Sequence, residues 1–196
     1  MYKRQDYTNL VGTVTIPAGL VNVGVSVTPT NDDIAEGSET AIATVSAGSA
    51  YNVSGTPSAT VTISDNDTAG VTVTQVGPTF SGVRMVTTEA GGTGTYTVRL
   101  NSQPTSGTVT VAVSSLNLGE GTVSPSSLIF TTTSGQAVSG NTSGWNVAQT
   151  VTVTGVNDSI DDGDVNYAIA MSMTATADTT YPALAITNVQ MVNQDN

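Results

Sequence analysis

The stretch VNDSIDDGDVNYAI, residues 156–169, sets four aspartates within seven positions: Asp158, Asp161, Asp162 and Asp164. A second cluster, in NDDIAEGSET, holds Asp32, Asp33, Glu36 and Glu39. Two acidic closings follow, Asp65 and Asp67 in SDND and Asp195 in NQDN, and Glu89 stands alone between the clusters. Together these are twelve of only fifteen acidic residues, so the crowding is local and not a property of the whole surface. Two carboxylates about 4 Å apart repel by ~1 kcal/mol in water and by several times that at a protein surface. Several such pairs in one place call for a counter-ion. Hard carboxylate, amide and carbonyl oxygens, six to eight to a site, suit Ca²⁺; Mg²⁺ keeps its waters and prefers small octahedral sites. The spacing is not that of an EF-hand, because DSIDDGD lacks the alternating aspartates and the glutamate at position twelve.

Other chemistries fit less well. Glu89 and Glu120 could be paired as glycosidase carboxylates, but nothing fixes their separation and no aromatic-rich cleft accompanies them. There is no cysteine and no histidine. That removes disulfides, thiolate nucleophiles, the commonest general base and the commonest zinc ligands. Four basic residues against fifteen acidic ones give a formal charge of −11, which argues against nucleic acid and against anionic membrane surfaces and leaves cations as natural partners. No apolar run reaches the roughly 20 residues of a membrane span. The one lysine, Lys3, excludes isopeptide staples within the fold. Sequons at Asn52, Asn66, Asn141 and Asn157 are at chance level in a chain so rich in Asn, Ser and Thr. The T-x-T rows read as strand alternation without a solenoid period.

The elements that must position the acidic groups are strands. Val, Ala, Thr and Gly dominate while Leu, Lys and Phe are scarce, and β-branched residues favour extended chain. Alternation of period two runs through TVTI (13–16), VNVGVSVTP (21–29), ATVTIS (59–64) and GVTVTQV (70–76). It continues in TYTVRL (95–100), GTVTVAVSS (107–115), SLIFT (127–131), TVTVTGV (150–156), NYAIAMSM (166–173) and NVQMVN (188–193). Turn residues separate these runs, the signature of an all-β sandwich. No window supports a helix longer than about a turn.

An internal repeat organises the strands. Residues 12–51 align with 121–181: a strand, a V-x-V-T run, an Asn-Asp acidic cluster, another strand, then an aromatic, Tyr51 or Tyr181. Both tyrosines read as packing residues. Each copy closes on a strand and an acidic tail. The second copy has extra residues around 134–144, read as a loop insertion, followed by Trp145, which reads as core. It also carries residues 69–115, with no counterpart in the first. The expected organisation is a partial sandwich over 6–67, lacking two or three N-terminal strands, and a nearly whole one over 68–196. MYKRQ, residues 1–5, fits neither; it reads like the translated end of a sequencing adapter and is expected to be non-native.

The motifs DYT…GTVTIPAG, NDDIAEGSET and SDND, with VTEAGGTGTYTVRLNSQPT, EGTVSPSSLIF and TVTVTGVNDSIDDGDVNYAI, resemble the Calx-β domain over nearly all of residues 6–196. The resemblance implies two tandem Calx-β, immunoglobulin-like antiparallel β-sandwich domains, the first incomplete. It also implies Ca²⁺ at one tip, held by an early glutamate, the acidic loop and the terminal acidic run. Carried over, Glu89 is the early glutamate of the second domain, with Asp158, Asp161, Asp162 and Asp164 as its loop and Asp195 as its terminus. In the first domain the loop is Asp32, Asp33, Glu36 and Glu39 and the terminus Asp65 and Asp67, without an early glutamate. The implied function is a non-enzymatic structural segment of an extracellular or cell-surface protein, a stalk, adhesin or filament, stiffened by Ca²⁺ at domain ends and at the junction. Its partners are neighbouring repeats, with a head-to-tail homopolymer built by strand complementation as a variant. The alternative is a module that binds a glycan or protein through its loops.

Overall fold

A computed structural model describes residues 6–10, 12–49 and 51–195; the MYKRQ segment lies outside the described residues. The chain divides into two compact units, one ending at Asp67 and the other beginning at Thr68.

In the first unit β1 (Glu39–Thr44) pairs antiparallel with β2 (Ser58–Ile63), from Glu39 opposite Ile63 to Thr44 opposite Ser58. Ala41 of β1 and Ile34, ahead of it in the chain, are buried. The alternating runs at 13–16 and 21–29 form no strand among the described residues beyond a bridge between Tyr7 and Pro29. Most of their apolar side chains stay exposed, Val21 at 92%, and Val27 is only half-buried. Alternation yields a strand only where a neighbouring strand takes its hydrogen bonds, and among the described residues only the short stretch 6–8 pairs with these runs, at 28–30. Tyr51 corrects the packing expectation: it is 55% exposed, with its hydroxyl donating to the Ser46 carbonyl at 2.8 Å. Tyr181, its repeat counterpart, is buried because its hydroxyl reaches the Ser102 carbonyl at 2.6 Å, in a segment the first unit has no equivalent of.

The second unit is a sandwich. Its strands are β3 (Val71–Val76), β4 (Thr79–Phe80), β5 (Arg84–Thr88), β6 (Thr93–Leu100), β7 (Thr108–Ser115), β8 (Gly121–Ser124), β9 (Ser127–Thr131), β10 (Thr142–Gly144), β11 (Gln149–Gly155), β12 (Val165–Ala175) and β13 (Val189–Gln194). One sheet runs β10-β9-β7-β12-β13-β5-β4 and the other β3-β6-β11-β8. All pairs are antiparallel except β9 with β10 and β13 with β5. The segment read as an insertion is only partly loop. Gly135 and Gly140, both at positive φ, turn the chain, and β10 returns alongside β9.

Period two sorts each strand's residues between core and solvent. Tyr96, Val98 and Leu100 of β6, Val109, Val111 and Val113 of β7, and Val151 and Val153 of β11 all face inward. Each such side chain contributes about 1.5–3 kcal/mol of transfer free energy. Trp145 joins this core at 6% exposure. The Tyr96 hydroxyl is buried without a hydrogen-bond partner, and that burial holds it protonated far above ordinary tyrosine values. An unsatisfied buried hydroxyl costs about 1–3 kcal/mol. Tyr96→Phe is therefore expected to leave stability unchanged or raise it by about 1 kcal/mol in thermal melts; a clear loss would show that the hydroxyl is bonded in solution.

Candidate functional site

Sheet topology brings four separate stretches of the second unit to one tip. β5 and β13 run parallel with Thr88 opposite Gln194, so Glu89 and Asp195 leave the sheet side by side, and the Glu89 N–H donates to the Gln194 carbonyl at 3.0 Å. β11 and β8 run antiparallel with Gly155 opposite Gly121. Glu120 therefore enters β8 where the acidic loop leaves β11, and the Val156 N–H donates to the Glu120 carbonyl at 3.0 Å. The far end of the loop is fixed by Val165 opposite Asn193.

At this tip one carboxylate oxygen each from Glu120, Asp158 and Asp162 lie within 4.8 Å of one another. Asp158 shapes the loop by accepting the Ile160 N–H at 2.8 Å, and Asp195 ties it down by accepting the Gly163 N–H at 3.0 Å. Glu89 is buried. That burial pushes its carboxyl above the usual glutamate range, and the charges of Asp195, Asp158 and Asp162, with a hydrogen bond to Asp195, push the same way. Glu89, Asp158, Asp162 and Asp195 are thus brought together. Asp161 and Asp164 are not in the convergent group; they sit exposed on the same loop.

The first unit repeats the arrangement with different members. Asp6, Glu36 and Glu39 place carboxylate oxygens within 4.8 Å of one another. Asp32 accepts the Ile34 N–H at 2.9 Å, the same short turn that Asp158 makes with Ile160. Asp65 accepts the Glu36 N–H at 2.6 Å, as Asp195 accepts Gly163, and also the Asp67 N–H at 2.9 Å. Those two bonds, the Asp67 one first, hold Asp65 below the ordinary aspartate range. Glu36 is pushed up by desolvation and then by Asp6, Asp32 and Glu39. Asp67 is pushed up by desolvation and then by Asp65, Asp33 and Asp32. A cavity of about 120 Å³ lies among Asp6, Asp32, Glu36, Asp65 and Asp67.

Two members are absent from the ligands expected from sequence: Asp6, and Glu120, which the sequence offered only as a glycosidase partner of Glu89. Glu120 is recruited only through the β8–β11 pairing. Asp6 is recruited because its carbonyl accepts the Thr30 N–H at 2.7 Å, laying it against the start of the loop. Chemically the two tips are alike: clustered hard oxygens, with Glu89 at one tip and Glu36 and Asp67 at the other raised by desolvation and then by neighbouring carboxylates, and no nitrogen or sulfur side-chain donor. Such a donor set fits a hard divalent cation.

The sequence profile of the Calx-beta domain matches residues 2–67 and again 75–195. No curated protein sequence matches the chain. Among solved structures, the periplasmic chaperone SfaE is similar at 8% identity and a TM-score of 0.43, over 65% of this chain and 57% of that one. WR4, a member of the MSP family of Caenorhabditis elegans, is similar at 10% identity and a TM-score of 0.35, over 64% of this chain and 97% of its own.

Proposed function

The chain belongs to the Calx-beta domain family and carries two copies of this non-catalytic module, and from that premise we propose that it is a structural repeat segment whose acidic tips bind Ca²⁺ and are stiffened by it. The observation that carries the reading is the convergence, in each unit, of carboxylates from separate stretches of chain. A tip that repels itself without an ion is ordered by one. An ion that binds only the folded state adds RT ln(1 + [Ca²⁺]/Kd), about 2.7 kcal/mol at a hundredfold excess over Kd. Sites of about 10⁻⁴–10⁻³ M match extracellular calcium, so the setting is a secreted or cell-surface protein, with neighbouring repeats as the partners. The burial of Trp145 supports a stalk over a ligand-binding loop. In the second unit, Glu120, Asp158 and Asp162 would supply the ion's first ligands, with Glu89 and Asp195 beside them.

The geometry separates two neighbouring aspartates that sequence treats alike. Thermal melts of the full chain in EDTA and in millimolar calcium are expected to show a calcium-dependent rise. Asp162→Asn should remove most of the second unit's rise, and Asp161→Asn should leave it within about 1 °C, since exposed substitutions away from such features cost under about 0.5 kcal/mol. Equal responses from both variants, or no rise at all, would overturn the assignment.

A further inference from the structure

The core of the second unit contains a polar line that its packing does not require. Thr87 on β5 and Asn193 on β13 are cross-strand partners, each 1% exposed. Their neighbours on the same faces are Met85, Met191 and Val189. The Thr87 hydroxyl has two acceptors, Asn193 Oδ1 at 3.0 Å and the more distant Val192 carbonyl at 3.3 Å, and with its proton so used it accepts from the Tyr167 hydroxyl at 2.9 Å. Asn193 Nδ2 donates to Glu120 Oε2 at 3.3 Å and to the Val156 carbonyl at 3.0 Å. The amide can sit only one way round, because its nitrogen faces two acceptors and its oxygen faces a hydroxyl.

Two glycines make room for the line. A Cβ at Gly121 would strike the Tyr167 ring and hydroxyl, and one at Gly155 would strike the Thr88 carbonyl and the Asn193 side chain. These glycines face each other across β8 and β11, and Glu120 immediately precedes one of them. Burying polar groups in an apolar core costs stability unless each is paired. Here each is paired, and the line ends on a carboxylate of the cation tip.

We propose that Asn193 is a positioning residue for that tip, the turning point of a buried relay from Tyr167 through Thr87 to Glu120 that aims the Glu120 carboxylate at Asp158 and Asp162. This rests on the calcium reading above. Glu120 is 8% exposed, and it joins the cluster from the buried side, opposite the exposed Asp158 and Asp162. The first unit offers an internal control. Its ladder pairs Ile63 with Glu39 at the place where the second pairs Asn193 with Val165, so among the described residues no such relay turns at that position.

The test is a calcium titration of the full chain followed by amide NMR. The Gly163 amide, bonded to Asp195, reports the second tip, and the Glu36 amide, bonded to Asp65, reports the first. Thr87→Val removes the hydroxyl at constant volume without touching Glu120. Loss of outer-shell partners costs about 10–100-fold in metal affinity, and one step further out we expect roughly 3–10-fold at Gly163 with no change at Glu36. Thr87→Ser should restore the Gly163 affinity. Should Thr87→Val not fold, Tyr167→Phe removes only the outermost hydroxyl and is expected to weaken Gly163 about twofold. A lower melting temperature in EDTA with an unchanged Gly163 Kd marks the line as packing and overturns the proposal alone. No response of Gly163 in the unsubstituted chain up to about 10 mM calcium, above the weakest sites of this kind, overturns the proposal and the calcium reading together.

Discussion

Asp178→Ala is expected to lower the stability of the second unit by about 3 kcal/mol, a fall of roughly 10 °C in its melting temperature. Asp178 is 5% exposed and spends both oxygens on protein donors. Oδ2 accepts the Thr105 N–H at 2.8 Å and the Thr105 hydroxyl at 2.9 Å; Oδ1 accepts the Thr180 N–H at 2.8 Å and the Tyr181 N–H at 3.0 Å. Three of these donors are backbone groups that alanine leaves without partners, at about 1–3 kcal/mol for each one that stays buried. The same bonds hold the turn Tyr181–Ala183 against the segment after β6, where the buried Tyr181 hydroxyl meets Ser102. Burial alone would raise the Asp178 carboxyl, but the bonds from Tyr181, Thr105 and Thr180 outweigh it and hold it below the ordinary aspartate range. A carboxyl lowered on folding stabilises above its unfolded value of about 3.9 and loses that contribution as pH falls through the folded value. The gap between wild type and Asp178→Asn should therefore be full at neutral pH and shrink in acid. An Asp178→Ala variant melting within about 1 °C of wild type would show that these bonds contribute nothing net.

Three acidic residues fell outside the clusters drawn from sequence: Asp6, Glu120 and Asp178. Two of them complete the tips and the third staples the sandwich, and the reason is common to all. Clusters contiguous in sequence are visible without a fold, whereas these residues gain their role from partners far away in the chain. Glu120 meets Asp158 because β8 pairs with β11, and no local spacing encodes that pairing. The local signals did well where the sandwich is closed. SLIFT is β9 residue for residue, and the alternation in GVTVTQV and NVQMVN lies in β3 and β13. They failed at TVTI and VNVGVSVTP, which have the same pattern but, among the described residues, no bridge beyond that of Pro29 to Tyr7. Tyr51 and Tyr181 make the same point: equivalent in the repeat, they differ because only one meets a Ser102. Asp161 beside Asp162 shows the converse. A dense acidic loop shows where a tip is, but the turn set by Asp158 and the tie from Gly163 to Asp195 shape the loop in which Asp158 and Asp162, not Asp161, converge on Glu120.

In EDTA the chain is expected to lose stability as pH rises from about 4.5 to 7, and calcium should reverse the slope. Glu89, Glu36 and Asp67 are all raised on folding, each first by desolvation and then by neighbouring carboxylates. A raised carboxyl contributes stability that is full below its unfolded value, about 4, and is lost as pH climbs through the folded value. Asp65 and Asp178, both lowered, work in the opposite direction but only in more acid solution, so the metal-free optimum falls between the two sets. Calcium binds the ionised oxygens and competes with protons. Its stabilisation therefore grows through the window in which the metal-free protein weakens. Melting curves at several pH values between about 4.5 and 7, with EDTA and with calcium, should diverge as pH rises. Glu89→Gln separates the causes. It removes a buried charge set among Asp195, Asp158 and Asp162, so it should raise the EDTA melting temperature at pH 7 while shrinking the calcium response. Parallel curves in EDTA and calcium, or a Glu89→Gln variant weaker in both, would mean that the carboxylates at this tip do not share one ion.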